Sequence, residues 1–266
     1  MKTDIYIVDS RSEIVAERLE NPDSFSEYRR KRILAVKPVR SKLLLTAAGI
    51  AVEEGLKKYG LVEHDTVFGL SDKEKPYIEG HPEIIFNVSH SGDYAVAAFL
   101  RTNADRQPDG YMPAKAVLQH GSGVPENTSD AGIGIKVISC ELWGLSETDS
   151  EGFSYSAGID IERIGRMSRR IAPVTAGDVG FGSPDPMRDL CRQWTAREAF
   201  VKCIGTGIVS IREDFHFEKT ASGEMRLCQE LYDGEFTLTE PEAPEGYCMT
   251  CIVRKYDADS KCKHGG

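Results

Sequence analysis

Long apolar runs are missing from this chain of 266 residues. No stretch approaches the roughly 18 consecutive apolar residues of a membrane span. The opening MKTDIYIVDS also lacks the apolar core of a secretory leader. Neither a membrane partner nor a secretory signal is expected. Positive charge is scarce overall, with 33 Lys and Arg against 42 Asp and Glu and a net charge of −9. That argues against nonspecific nucleic-acid binding. No G-x-x-x-x-G-K-[ST] loop, no G-x-G-x-x-G turn and no kinase signature occurs, which leaves ATP and NAD without an obvious cradle. The seven cysteines are odd in number and scattered, which predicts reduced thiols and a cytoplasmic protein. Cys248 and Cys251 have zinc-knuckle spacing, and Cys262 and His264 follow. But YCMTCIV reads as a strand, on which residues three apart face opposite ways. Core or edge cysteines are the expectation there, not a zinc site.

What is present is a set of short strands and a few helices. IYIVD (5–9) reads as a strand, and residues 24–60 turn helical, with KLLLTAAGIAVEEGLKKYG the clearest helix. IIFNVSHSGDYAVAAFL (84–100) reads as two strands around a turn at Ser91-Gly92-Asp93, and YSAGIDIERI (155–164) as another strand. HFEKTASGEMRLCQEL and GYCMTCIV fit closing strands. The order is irregular, not alternating βαβ, so the expected class is α+β with small antiparallel sheets. Residues 101–152 differ in character. They are rich in Gly, Pro, Ser and Asn, poor in periodicity, and carry one apolar island, GIKVISCELWGL. The predicted organisation is an N-terminal half over 1–100, an insertion or long loop over 101–152, a C-terminal half over 153–256, and a tail over 257–266. Without the insertion, the strands at 94–100 and 155–162 would join as a hairpin.

The candidate chemistry starts with WTAREAFVKCIGTG (194–207), a helix that should stop at Gly205. Trp194, Glu198 and Lys202 recur every four residues and share one face. Two local explanations exist: a Glu–Lys pair at i, i+4, and a capping box with Thr195 as N-cap and Glu198 three residues on. A third comes from GIDIER. On a strand, Asp160 and Glu162 point to one face and Ile159 and Ile161 to the other. Two like charges at that spacing repel, and a cation would relieve them. With Glu198 the set has three carboxylates, an oxygen-only donor group suited to Mg²⁺. Lys202 could then hold a phosphate as a point charge. In NVSHSG, Ser89 and His90 invite a hydrolase reading, but adjacent strand residues face opposite ways and G-x-S-x-G is absent. A hydroxyl and an imidazole at a strand end fit phosphate donors better. Residues 24–60 add nine Lys and Arg against three Asp and Glu, either a solvated face or an anion site. Together these suit a polyanionic, diphosphate-containing ligand.

FNVSHSG (86–92), GIDIE (158–162) and WTAREAFVK (194–202), in that order, resemble the 4'-phosphopantetheinyl transferases of the longer, surfactin-synthetase-activating type. EKPYI (74–78) is similar to that family's Gly-Lys-Pro element, and GTGI (205–208) to its Gly-x-Gly-Leu element. The resemblance implies two similar α+β halves related by a pseudo-twofold, with coenzyme A as substrate. It implies transfer of 4'-phosphopantetheine to a serine of an apo acyl or peptidyl carrier protein, releasing adenosine 3',5'-bisphosphate. Asp160, Glu162 and Glu198 would be the Mg²⁺ ligands, Glu198 also the general base, and Lys202 a catalytic phosphate ligand. Lys75, Ser89 and His90 would contact coenzyme A, with Arg29, Arg32 and Arg40 as further phosphate contacts. The sequence departs from the pattern at Glu74, where the family usually has Gly, at Arg197, where it has Lys, and in the insertion.

The expected protein is a monomeric, cytoplasmic, Mg²⁺-dependent transferase. Its acidic total charge fits poorly with an acidic carrier, so docking would use the basic segment or an apolar patch. One rival is a Mg²⁺-dependent phosphotransferase or pyrophosphate-cleaving enzyme that needs no carrier. Another is a non-catalytic module binding coenzyme A or a carrier, which would have no reason to keep a base at Glu198.

Overall fold

A computed structural model describes residues 2–71, 74–101, 119–120, 134–141, 153–166, 185–206 and 215–257. The chain divides into two compact units, Lys2–Glu141 and Leu142–Gly266, the latter together with Met1.

In the first unit the strands and helices run β1 (Lys2–Asp9), α1 (Glu13–Glu20), α2 (Glu27–Ala35), α3 (Val39–Lys57), β2 (Phe68–Leu70), β3 (Pro76–Ile78), β4 (Ile85–Ser91), β5 (Tyr94–Arg101), β6 (Gln119–His120) and β7 (Ile135–Glu141). The main sheet has the order β4-β5-β1-β7-β6. Its pairings are antiparallel except for the short parallel contact of β6 with β7. The turn read at Ser91-Gly92-Asp93 joins β4 to β5, with Gly92 at φ 60°. α3 lays an almost wholly apolar face on this sheet: Ala47, Ala48, Ile50, Ala51, Val52 and Leu56 join Tyr6, Val8, Phe86, Ala97 and Phe99 in one core. Gly55 lets α3 approach closely, since a Cβ there would fall 2.0 Å from the Phe99 ring.

The second unit holds β8 (Phe153–Arg163), α4 (Pro186–Ile204), β9 (Phe215–Lys219), β10 (Met225–Gln229), β11 (Glu235–Thr239) and β12 (Tyr247–Asp257). β8, β12 and β11 form one antiparallel sheet, and β9 with β10 a hairpin. Phe200 of α4 packs on Phe215, Tyr232 and Phe236. The α+β class with small antiparallel sheets is borne out.

Three expectations need correction. The strands at 94–100 and 155–162 do not pair: β5 lies between β4 and β1, while β8 pairs with β12. The apolar island, read as part of an insertion or long loop, contributes a strand. Its Ile135–Glu141 part is β7, which pairs along β1 and buries Val137 and Ile138. The Ser139 hydroxyl donates to buried Asp4, which also holds Lys58 at 2.8 Å. Removing residues 103–151 would therefore strip a strand from the first unit's sheet. The third correction concerns Thr195, which is not an N-cap. α4 begins nearly three turns earlier, where the Asp185 carboxylate accepts from the Arg188 N–H and Pro186 opens the helix. Thr195 is buried mid-helix, donating to the Arg192 carbonyl and sharing a 2.9 Å hydrogen bond with Thr250. Gly205 ends the helix as expected, at φ 73° with its N–H on the Val201 carbonyl. The rest of the island, Trp143 included, residues 207–208 of GTGI, and residues 258–266 of the tail lie outside the described residues.

Candidate active site

The site in the second unit is built by one glycine. Gly158, Asp160 and Glu162 alternate onto the same face of β8. A Cβ at Gly158 would sit 2.0 Å from the Ala199 carbonyl oxygen and 2.4 Å from the Cys203 nitrogen. No side chain longer than hydrogen fits, so α4 lies directly on the strand. That contact covers the face carrying Asp160, which is buried instead of lying on a wet face. It also sets a ladder between α4 and the β8–β12 pair. Thr195 meets Thr250, and Lys202 meets Asp160 with Nζ 2.6 Å from Oδ1. The same Nζ donates to the Ile159 carbonyl at 3.3 Å.

Glu198 lies on the same helical stripe as Trp194 and Lys202, and it is buried. Burial, then the charge of Asp160, and to a lesser extent that of Glu162, push its carboxyl up to about 7, against the pull of Lys202. The Glu–Lys spacing is thus not mainly a helix-stabilising pair: the Lys202 ammonium sits on Asp160. The three carboxylates are not closed into a tight cage. Among the described residues, the only three metal-ligating side chains with ligand atoms all within 4.8 Å are His216, Glu218 and Cys228. The Lys202 ammonium stands at Asp160, where a cation would sit. The donor chemistry fits a hard divalent ion: oxygen atoms only, with the Glu198 carboxyl raised by burial first and then by the charge of Asp160.

Arg197, in place of the family's Lys, is buried with its guanidinium over the Phe215 ring. Its role is packing of α4 on β9. Cys248 and Cys251 are both buried on β12, and Cys248 packs with Cys191 of α4.

The first unit places its candidates in two groups. Ser89 is buried on β4 while His90 is exposed, so the adjacent residues take opposite faces. Arg40, at the start of α3, donates to the Gly92 carbonyl and to Asp93 at 3.0 Å, which sets it at the turn that follows His90. Arg11 reaches the same Asp93 at 3.6 Å. The second group is on α2. Buried Glu63 accepts from the Ser26 N–H and hydroxyl, and the Ser26 side chain caps the helix by accepting from the Arg29 N–H. Arg29 is itself buried and faces the Glu63 charge, whereas Arg32 is exposed, donating to the Tyr28 hydroxyl. Lys75 follows a turn closed by its own N–H to the Ser71 hydroxyl. Glu74 in that turn has φ 60°, the left-handed region that favours glycine. That is a physical reason for the glycine usual at this place.

Residues 156–252 match the family model of the 4'-phosphopantetheinyl transferase superfamily. The resemblance carried by the motifs is borne out, and the matched stretch holds Asp160, Glu162, Glu198 and Lys202. The chain is also 25% identical over 213 residues to a 4'-phosphopantetheinyl transferase of Bacillus subtilis. That match covers 78% of this chain and 65% of the relative, so the chain spans about two thirds of the relative's length. No helix among the described residues is long and apolar enough to cross a membrane.

Proposed function

We propose that this chain transfers 4'-phosphopantetheine from coenzyme A to a serine hydroxyl of an apo acyl or peptidyl carrier protein, releasing adenosine 3',5'-bisphosphate. The observation that carries the reading is the burial of Glu198 beside Asp160, Glu162 and Lys202 within the stretch that matches the superfamily. The serine oxygen attacks the phosphorus bearing the pantetheine arm. The bond from that phosphorus to the nucleotide's bridging oxygen breaks. The serine proton passes to the Glu198 carboxylate, whose elevated affinity for protons suits a general base near neutral pH. Lys202 would leave Asp160 to meet a phosphate oxygen. Asp160, Glu162 and Glu198 would hold Mg²⁺, which when bound supplies positive charge for the diphosphate. Arg32, Arg40, Lys75, Ser89 and His90 are the coenzyme A contacts in this reading. The guanidinium of Arg29 is buried facing the Glu63 charge, and its contact with coenzyme A rests on the resemblance alone. The protein acts as a cytoplasmic monomer.

The test is to incubate the protein with coenzyme A, Mg²⁺ and a panel of apo carriers, then weigh the carriers by mass spectrometry. A carrier heavier by one phosphopantetheine supports the reading. Release of adenosine 3',5'-bisphosphate with no carrier present would favour the pyrophosphate-cleaving rival. Coenzyme A binding without turnover on any carrier would favour the binding module.

A further inference from the structure

The β9–β10 hairpin carries a second group of ligating side chains that the transfer reaction does not use. FHFEK alternates: Phe215 and Phe217 are buried in the core with Phe200, so His216 and Glu218 share the opposite face. On β10 the register sets Cys228 directly across from His216, and Arg226 across from Glu218. Directly opposed residues keep their Cβ atoms about 4.5–5.5 Å apart, so four functional side chains form one square on the outer face. His216 Nε2 lies 3.2 Å from Glu218 Oε1, and the ligand atoms of His216, Glu218 and Cys228 all lie within 4.8 Å of one another. The Arg226 guanidinium donates to the other carboxylate oxygen, Oε2, at 2.6 Å.

We propose that His216, Glu218 and Cys228 form a zinc-binding site, distinct in chemistry from the oxygen-only carboxylates of β8 and α4. An imidazole, a thiolate and a carboxylate are the donor types of Zn²⁺, and a sulfur ligand disfavours Mg²⁺. Three protein ligands on a half-exposed face leave a fourth position for water. Binding removes the proton from the Cys228 thiol to solvent and needs a neutral imidazole. Arg226 orients the carboxylate from behind, as outer partners of metal ligands do. Two strands rigidly packed through Phe215 and Phe217 hold the three donors in place, and no loop needs to close.

The full-length protein, stripped with a chelator and kept in excess Mg²⁺ so that the hard-oxygen site is occupied, is titrated with Co²⁺ as a zinc surrogate. The expected result is one equivalent bound with a thiolate-to-cobalt charge-transfer band that Zn²⁺ displaces. Cys228→Ser should abolish the band, and His216→Gln should weaken binding at least about tenfold, with the melting curves of the metal-free proteins unchanged. A direct check needs no variant: Zn²⁺ should slow alkylation of Cys228, located by mass spectrometry, at a concentration that leaves the other thiols unaffected. Absence of the band in the wild type, its persistence in Cys228→Ser, an unaltered cobalt affinity in His216→Gln, or unaltered alkylation of Cys228 overturns the proposal.

Discussion

α3 and α4 have the same length, 19 residues, and each is laid on an antiparallel sheet through a glycine contact, yet they bury different things. α3 buries leucine, isoleucine, valine, alanine and glycine, with Thr46 the polar exception. α4 buries Asp189, Gln193, Thr195, Arg197 and Glu198 among its alanines and cysteines. A buried carboxylate is costly unless its surroundings repay it. A helix built only to hold a sheet would look like α3. The buried polar residues of α4 thus set it apart from α3, and Glu198 among them is the group on which the proposed function rests. The glycines differ in the same sense. Gly55 of α3 faces the Phe99 ring, whereas Gly158 of β8 faces the backbone of α4.

The largest effect that would sharpen the contrast is on turnover. Glu198→Gln should keep the fold and reduce phosphopantetheine transfer by about 10²–10⁴-fold, the usual worth of a positioned base. A single-turnover assay with near-normal rates would return Glu198 to a structural role. Next come the glycines. Gly158→Ala forces a methyl into helix backbone and should cost about 3 kcal/mol, the upper end of overpacking. Gly55→Ala meets a ring and gains roughly 1 kcal/mol of helix propensity, so its net cost should be about 1–2 kcal/mol. Denaturant unfolding of the two variants that ranked them the other way would break the distinction between the two contacts.

A smaller effect follows from the Glu198 carboxyl. Its pKa is about 7 in the fold against an ordinary 4.5. Between those values the folded state holds a proton that the unfolded state has lost, so this group's contribution to stability falls as pH rises through the window. Above pH 7 the ionised, buried carboxylate is a constant cost. Glu198→Gln should accordingly raise stability by about 1–3 kcal/mol at pH 8 and leave it unchanged below pH 4. Melting curves across pH would show this, and a variant no more stable at pH 8 would contradict it. The smallest effect is at Glu74, whose φ of 60° is unfavourable for a side chain. Glu74→Gly should stabilise by up to about 1 kcal/mol, the left-handed penalty less the entropy of glycine. A loss of stability would mean that the Glu74 side chain makes contacts worth more than the strain.

Some of this was legible in the sequence. The four-residue recurrence of Trp194, Glu198 and Lys202 puts them on one helix stripe, and the alternation of GIDIER puts Asp160 and Glu162 on one strand face. Their meeting depended on Gly158, whose significance lies in what it touches, and no sequence pattern shows that. The start of α4 was written in Asp185-Pro186, a cap followed by a first-turn proline, but the periodicity that drew notice began at Trp194. β7 was obscured because a strand completing a distant sheet looks, in isolation, like one apolar island in a polar stretch. Its partner β1 lies more than a hundred residues away. Burial of Arg29 was equally hidden. Four consecutive basic residues suggest a uniform charged surface, while the helix turns one of them inward toward Glu63.

The central claim is that α4 and β8 bury polar groups in order to hold a divalent cation. Calorimetric titration of Mg²⁺ into the wild type, Asp160→Asn and Glu198→Gln at pH 8 tests it most directly. One Mg²⁺ should bind the wild type with release of a fraction of a proton from Glu198. Both variants should bind at least about tenfold more weakly, the loss expected when a charged ligand becomes neutral. Equal Mg²⁺ affinity in all three proteins would contradict the account.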